Sequence, residues 1–306
     1  MRYLPVMVLA GLVASGCTRE PGSTNLTKGA LNLEVDEAVE PAMRQEVEEF
    51  RRQYPESKVV IRSVEAREAV ADFINDSVRV IVCGRAFNKE ERDAIAAAKI
   101  PLQEYQVAQG AVAVITNKGM DITQLRTGEI DSIFSGGMAW WPGKKKRVAI
   151  DIAIGGVNSS VNEVFRSGVM KGKRFAMSAT PVESSAELVR YVERTPGSVG
   201  ILGISWLKGV EGLVNVVSLG TPGFRPDSTE VPGRYYSPAQ AYVFKGYYPV
   251  ATPVYIYTRE VSRDIGLGFI AFVSSAPGQK IILNSGLVPV TMPVRLVQLT
   301  SEQVKQ

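Results

Sequence analysis

From residue 30 onward the apolar positions follow two periods in turn. Ala30–Val35 alternates as a strand does, and Pro41 then opens a stretch in which Met43, Val47, Phe50 and Tyr54 fall on one helical face. Lys58–Val64 predicts the next strand, Ala66–Asn75 a helix and Val78–Val82 a third strand. Asn88 and Glu91 have the spacing of a capping box, which starts a helix reaching about Ala98. A β-α-β-α-β-α order predicts a parallel sheet with helices on its faces.

A second region of the same kind follows. Gly110–Asn117 is a near-continuous apolar run, as in a strand buried on both sides. Ile122–Ser135 reads as short helical stretches, Val148–Ile154 as a strand and Ser160–Ser167 as a helix. Ser184 and Glu187 cap a further helix ending at Thr195, and Val199–Leu202 is a strand. Gly220–Gly233, rich in Gly, Pro and polar residues, reads as a surface loop. Val254–Thr258 is the last strand, and Asp264–Ser274 with Gly278–Leu283 supplies closing helices.

Composition adds limits to this α/β pattern. With 306 residues, 45% apolar and 22% charged, the chain has core enough for two lobes and is neither disordered nor a small disulfide scaffold. The formal charge of +4 is spread along the chain. Its one dense basic run, Lys144–Arg147, follows Pro142-Gly143 and reads as a solvated turn, so no nucleic-acid partner is expected. There are no histidines. Ser-His-Asp and Cys-His sites, His-ligated metals and His proton shuttles are therefore excluded, and no catalytic residue, metal or cofactor is expected.

The start of the chain carries a targeting pattern: Arg2, the short apolar run Leu4–Ala14, then Ala14-Ser15-Gly16-Cys17. The run is too short to span a bilayer as a mature helix. It resembles the bacterial lipobox, which implies cleavage after residue 16, acylation of Cys17 and a tether over residues 17–29. A plain secretory leader with an incidental cysteine is the alternative. Lipidation implies a location on the periplasmic face of the cell envelope, with the outer membrane favoured in a Gram-negative cell because Thr18, not aspartate, follows the cysteine. Cys83, the only other cysteine, closes the apolar run Val80–Val82 and reads as a buried small hydrophobe.

Several stretches, in order between Leu33 and Val290, resemble the periplasmic phosphate-binding protein family of ABC-type transporters. They are Pro41–Val60; Gly84–Glu91 (Gly-Arg-Ala-Phe-Asn-Lys-Glu-Glu); Gly110–Asn117 with Ile130–Gly136; Pro196–Gly200; Tyr248–Thr258; and Phe269–Val273 with Pro277–Lys280 and Gly286–Pro289. The resemblance implies a two-lobed type II periplasmic-binding-protein fold with the ligand in the cleft between lobes joined by two strand crossings. These would lie near Gly110 and Thr258, giving one lobe from 30–109 and 259–306 and the other from 110–258. It also implies a monomer that binds a small anion such as phosphate at helix N-termini and hands it to ABC-transporter membrane subunits.

The ligand positions depart from the family. Where it places a Gly-Ser-Thr-type turn after the first strand, this chain has Val35-Asp36-Glu37-Ala38-Val39. Two carboxylates there satisfy the helix-start N–H groups themselves and repel an incoming dianion, unless both simply cap the helix and face solvent. In the second lobe, Ser159-Ser160-Val161 stands where the family has Ser-Gly-Thr, with Asn158 adding an amide just before it and Gly155 in place of the family's arginine. Asn158, Ser159 and Ser160 read as ligand donors or as a helix cap. Arg85 matches an arginine of the family's motif and reads as an anion contact or as a structural ion pair. Candidate ligand residues are thus Asp36, Glu37, Ala38, Arg85, Asn158, Ser159 and Ser160. Two functions compete: a lipid-anchored binding protein for phosphate or a related oxyanion, and an envelope interaction or sensory protein that keeps the fold but has lost the phosphate site.

Overall fold

Gly29–Asp36 forms β1, in which Leu31, Leu33 and Val35 point into the core; towards its carboxyl end even Glu34 and Asp36 are buried. The computed structural model describes residues 25–143, 146–226, 228, 230–261 and 264–291. Cys17, most of the tether and the leader lie outside them. After β1 come α1 (Glu40–Gln53), β2 (Ser57–Val64), α2 (Ala66–Ile74), β3 (Val80–Cys83) and α3 (Lys89–Ala97). Proline sits in the first turn of α1, where a missing N–H costs nothing. The Asn88/Glu91 capping box starts α3.

β1 pairs in parallel with both β2 and β3, so all three strands end at one edge of the sheet. The 15-residue β4 (Gln103–Asn117) then leaves this sheet for the next. The second lobe contains β5 (Gln124–Arg126), α4 (Thr127–Phe134), β6 (Asp151–Ile154), α5 (Ser160–Gly168), β7 (Thr180–Pro181), α6 (Ser185–Arg194) and β8 (Ser198–Gly203). It continues through β9 (Val214–Val216), β10 (Ser218–Gly220), β11 (Tyr235–Tyr236) and α7 (Gln240–Phe244). β12 (Ala251–Thr258) returns to the first lobe, followed by α8 (Ile265–Ser274), α9 (Ala276–Asn284) and β13 (Val288–Pro289). The strand order is β2-β1-β3-β12-β4-β8-β6-β7, with β9 and β13 also on β4.

Both crossings are therefore strands. Up to Ala111, β4 pairs with β12, and from Val112 to Thr116 it pairs with β8. The return crossing lies at Val250–Thr252, where the Val112 N–H donates to the Val250 carbonyl at 2.9 Å. It does not lie at Thr258, where the sequence reading put it. Tyr255–Thr258 pairs with β3 along its length, so residues 251–258 belong to the first lobe's sheet. Ile122–Ser135, read as helical, begins instead with β5, because Gln124–Arg126 finds a parallel partner in β10 and tertiary pairing overrides local preference.

One apolar cluster is continuous across both lobes, from Leu33 and Val35 through Val107, Val112 and Val114 to Ile152, Phe165 and Ile201. Burial of this kind contributes roughly 1.5–3 kcal/mol per large side chain. Smaller clusters lie under α2–α3 and under α6. Among the described residues no single helix is long and apolar enough to cross a membrane.

Candidate functional site

In open α/β sheets the groups that meet a ligand stand beyond the carboxyl ends of parallel strands. Here those ends are Asp36, Val64-Glu65 and Cys83-Gly84 in the first lobe. Gly155-Gly156, after β6, and Gly203, the end of β8, face them from the second.

Asp36 lies at the centre. It is 1% exposed, and it ends β1 with the backbone turning into Glu37–Val39, a single 3-10 turn. One carboxylate oxygen accepts the Ala38 N–H at 3.2 Å and the other accepts the Gly84 N–H at 2.8 Å. From the other lobe, the buried Ser160 hydroxyl faces the same carboxylate and favours its charged form. Burial pushes the Asp36 pKa above the usual carboxylate range, while the Ser160 hydroxyl, the Gly84 and Ala38 hydrogen bonds and the field of Arg85 pull the other way. Glycine at position 84 eases this approach. A Cβ there would stand 3.0 Å from the Asp36 carboxylate and 3.1 Å from the Ser160 hydroxyl. The Thr252 hydroxyl, at the return crossing, donates to the Gly84 carbonyl at 2.7 Å and fixes the turn.

Glu37 points elsewhere. Its carboxylate accepts both the Ser185 N–H and the Ser185 hydroxyl at 2.8 Å, capping the start of α6. Burial raises its pKa and the two Ser185 bonds oppose the rise. The carbonyl of Glu37 accepts from Trp206 Nε1 at 2.8 Å, and that of Ala38 from the Ser205 hydroxyl at 2.7 Å. Gly203 packs against the same carbonyl so closely that a Cβ would come within 2.4 Å of it. The reading in which Asp36 and Glu37 face solvent is thereby overturned, because the second lobe covers both.

The remaining candidates sort as follows. Asn158 contributes backbone: its N–H donates to Glu65 at 3.0 Å and its carbonyl accepts from the Arg67 N–H at 3.3 Å. The Ser159 hydroxyl caps α5 by accepting the Val161 N–H at 3.1 Å. Arg85, 4% exposed, forks onto Glu91 at 2.8 and 2.6 Å, and its Nε lies 3.0 Å from Glu163 of α5. The last contact is charge attraction without hydrogen-bond alignment. Sequence reading missed Gly84, Glu65, Ser185, Ser205 and Glu163 as site residues; only the caps at Ser184 and Asn88 signalled that these helix starts matter. Cys83 is buried with its thiol pushed well up by burial, then by Asp36, which keeps it protonated and inert. Trp141 and Tyr248 are buried and hydrogen-bonded to the backbone, and neither lines the seat.

Little space is left at this point. A cavity lined by Ala38, Gly84, Ser160, Gly203 and Thr252 measures about 10 Å³, room for roughly one water. A second, beside Asp36, Glu37, Glu65 and Ser185, measures about 30 Å³. Among the described residues no His/Cys/Asp/Glu group could hold a metal ion.

Comparison with known proteins bears on this geometry. Residues 20–277 match the family model described as a PBP superfamily domain. A curated relative, the phosphate-binding protein PstS of Staphylococcus saprophyticus, is 24% identical over 210 residues, covering 66% of this chain. The match spans 61% of that relative's length. Among solved structures, the chain is similar to a substrate-binding protein from Clostridium perfringens with bound phosphate, at TM-score 0.72 and 18% identity, covering 86% of this chain and 100% of that one. It is also similar to an ABC-type phosphate transport receptor from Vibrio cholerae, at TM-score 0.65 and 18% identity, covering 85% and 100%. At these identities the likeness establishes the two-lobed fold.

Proposed function

The chain belongs to the PBP superfamily, and from that premise we propose that it is a lipid-anchored, extracytoplasmic binding protein whose cleft takes phosphate or a related small oxyanion for an ABC-type transporter. The observation that carries this reading is the convergence of donors from both lobes: the Ala38 and Gly84 N–H groups and the Ser160 hydroxyl meet at one buried carboxylate. A group of donors that holds a carboxylate suits an oxyanion of similar size and charge. The names of the relatives, a phosphate-binding protein and a phosphate transport receptor, support the same ligand class. The protein acts as a monomer, with transporter membrane subunits as partners of its closed form.

Calorimetric titration of the soluble chain from Thr18 onward tests the ligand. We expect one-to-one binding of phosphate that sulfate does not match. No heat with phosphate at millimolar concentration would overturn the reading. A second reading, an envelope interaction or sensory protein with the phosphate site lost, is favoured by one observation: the donors already hold Asp36.

Cys17 supports the anchor, and Thr18 after it supports the outer membrane if the cell is Gram-negative. Cys17→Ser is expected to move the protein from the membrane fraction to the soluble fraction; retention in the membrane fraction rules out acylation at this residue.

A further inference from the structure

Three first-lobe carboxylates reach donors of the second lobe, beside the reverse pairing of second-lobe Glu163 with Arg85 and Arg67 of the first. Asp36, Glu37 and Glu65 all belong to the first lobe, and the groups that meet them from the second are the Ser160 hydroxyl, the Ser185 N–H and hydroxyl, and the Asn158 N–H. Ser160 opens α5, Ser185 opens α6, and Asn158 lies just before the cap of α5. Each carboxylate thus meets the second lobe at a helix start, where unpaired N–H groups and a partial positive charge favour an anion.

We infer that the chain latches its own lobes shut with these carboxylates, and that Asp36 occupies the seat of the ligand anion. The inference rests on the reading of that seat as an oxyanion site. Asp36 takes the Ala38 and Gly84 donors of its own lobe and faces the Ser160 hydroxyl of the other, as a bound anion bridging the cleft would. Glu37 and Glu65 extend the closure on either side. Gly203 and Gly156 allow it: a Cβ at Gly203 would meet the Ala38 carbonyl, and one at Gly156 would overlap the Glu65 carboxylate. The cavity of about 10 Å³ beside the seat has no room for a tetrahedral oxyanion as well as the carboxylate. Because the carboxylate is part of the chain, closing on it carries none of the translational entropy cost of capturing a free ion. The closed state, the form a docking partner distinguishes, is then reached without ligand. A free oxyanion enters only by displacing Asp36.

Small-angle scattering of the phosphate-free chain from Thr18 onward tests this. The wild type is expected to be compact and to keep its radius of gyration when phosphate is added. The variant carrying Asp36→Ser, Glu37→Ala and Glu65→Ala is expected to expand in the absence of phosphate. The near-isosteric set Asp36→Asn, Glu37→Gln and Glu65→Gln guards against unfolding, and circular dichroism reports the fold of both. Contraction of the wild type on adding phosphate would overturn the latch, as would folded variants as compact as the wild type. If the variants expand and phosphate closes them again, the latch and the oxyanion seat both stand. If they expand and 10 mM phosphate leaves them open, the latch stands and the oxyanion reading fails.

Discussion

Glu46→Met is expected to stabilise the protein by about 2–4 kcal/mol at pH 7–8 and to flatten its stability between pH 5 and 9. Glu46 lies on α1 among Ala42, Met43, Val47 and Phe50, on the face that packs into the core, and it is 0% exposed. Neither carboxylate oxygen has a hydrogen-bond partner. Burial, helped by the nearby charge of Glu49, pushes its pKa up to about 9, so it is a neutral acid at pH 7. The folded pKa lies above the unfolded one, so the folded state prefers the proton. That preference costs nothing below about pH 4.5 and costs more as pH rises through 9, at ~1.4 kcal/mol per unit. Methionine has a similar length, no charge and enough flexibility to fill the same space. Urea melts of both proteins at pH 5, 7 and 9 measure the effect. A gap that does not widen with pH would mean that Glu46 is not titrating in the core, and a less stable variant would mean that its carboxyl is satisfied by a group or a water.

Much of the architecture was legible because its elements follow strong local rules. The β1–α1–β2–α2–β3–α3 order came from periodicity, and the Asn88/Glu91 box and the Ser184 cap came from residue chemistry at helix starts. The reading stopped where the structure depends on tertiary partners. The first residues of β4, Gln103–Gln106, alternate between half-buried and exposed positions, and Gln109 interrupts the buried pair Val107-Ala108, so the strand was seen only from Gly110. The return crossing was misplaced because Ala251–Pro253 is ordinary in composition and is a strand only by pairing with β4. At the site, Asp36 and Glu37 stood out as departures from the family, but not the directions they take. Successive residues in a turn diverge, and only the approach of α5 and α6 from the other lobe decides which donors each meets. Glu46 shows the same limit. It carries a charge, yet its spacing from Met43 and Phe50 puts it on the inner face of α1.

Arg85→Ala is expected to cost about 3–5 kcal/mol of stability at pH 7.5, because it leaves the half-buried Glu91 without its counterion and Glu163 with only the exposed Arg67 at 3.5 Å. Burial works against the Arg85 charge, yet the forked hydrogen bonds to Glu91 and the field of Glu163 hold its pKa above the ordinary value. Glu91 is affected in turn. Burial raises its pKa, but Arg85 and the Asn88 N–H together bring it below the usual value. A depressed carboxylate contributes stability that is present above its unfolded pKa and lost as pH falls through the folded one. Removing Arg85 leaves Glu91 to the effect of burial, so the deficit of the variant should be greatest at neutral pH and shrink towards pH 4. Arg85→Lys should recover only part of the loss, since an ammonium cannot fork onto Glu91 while facing Glu163. The same measurement separates the two roles open to Arg85 in the sequence. A guanidinium that gripped a ligand would, when removed, lower anion affinity and leave the urea midpoint nearly unchanged. One that braces α5 of the second lobe against the turn after β3 lowers the midpoint first, with or without anion, and its pairing with Glu91 and Glu163 favours that outcome. A loss under about 1 kcal/mol, equal at pH 7.5 and pH 4.5, would mean that solvent reaches the pair and that Arg85 is free to serve the seat.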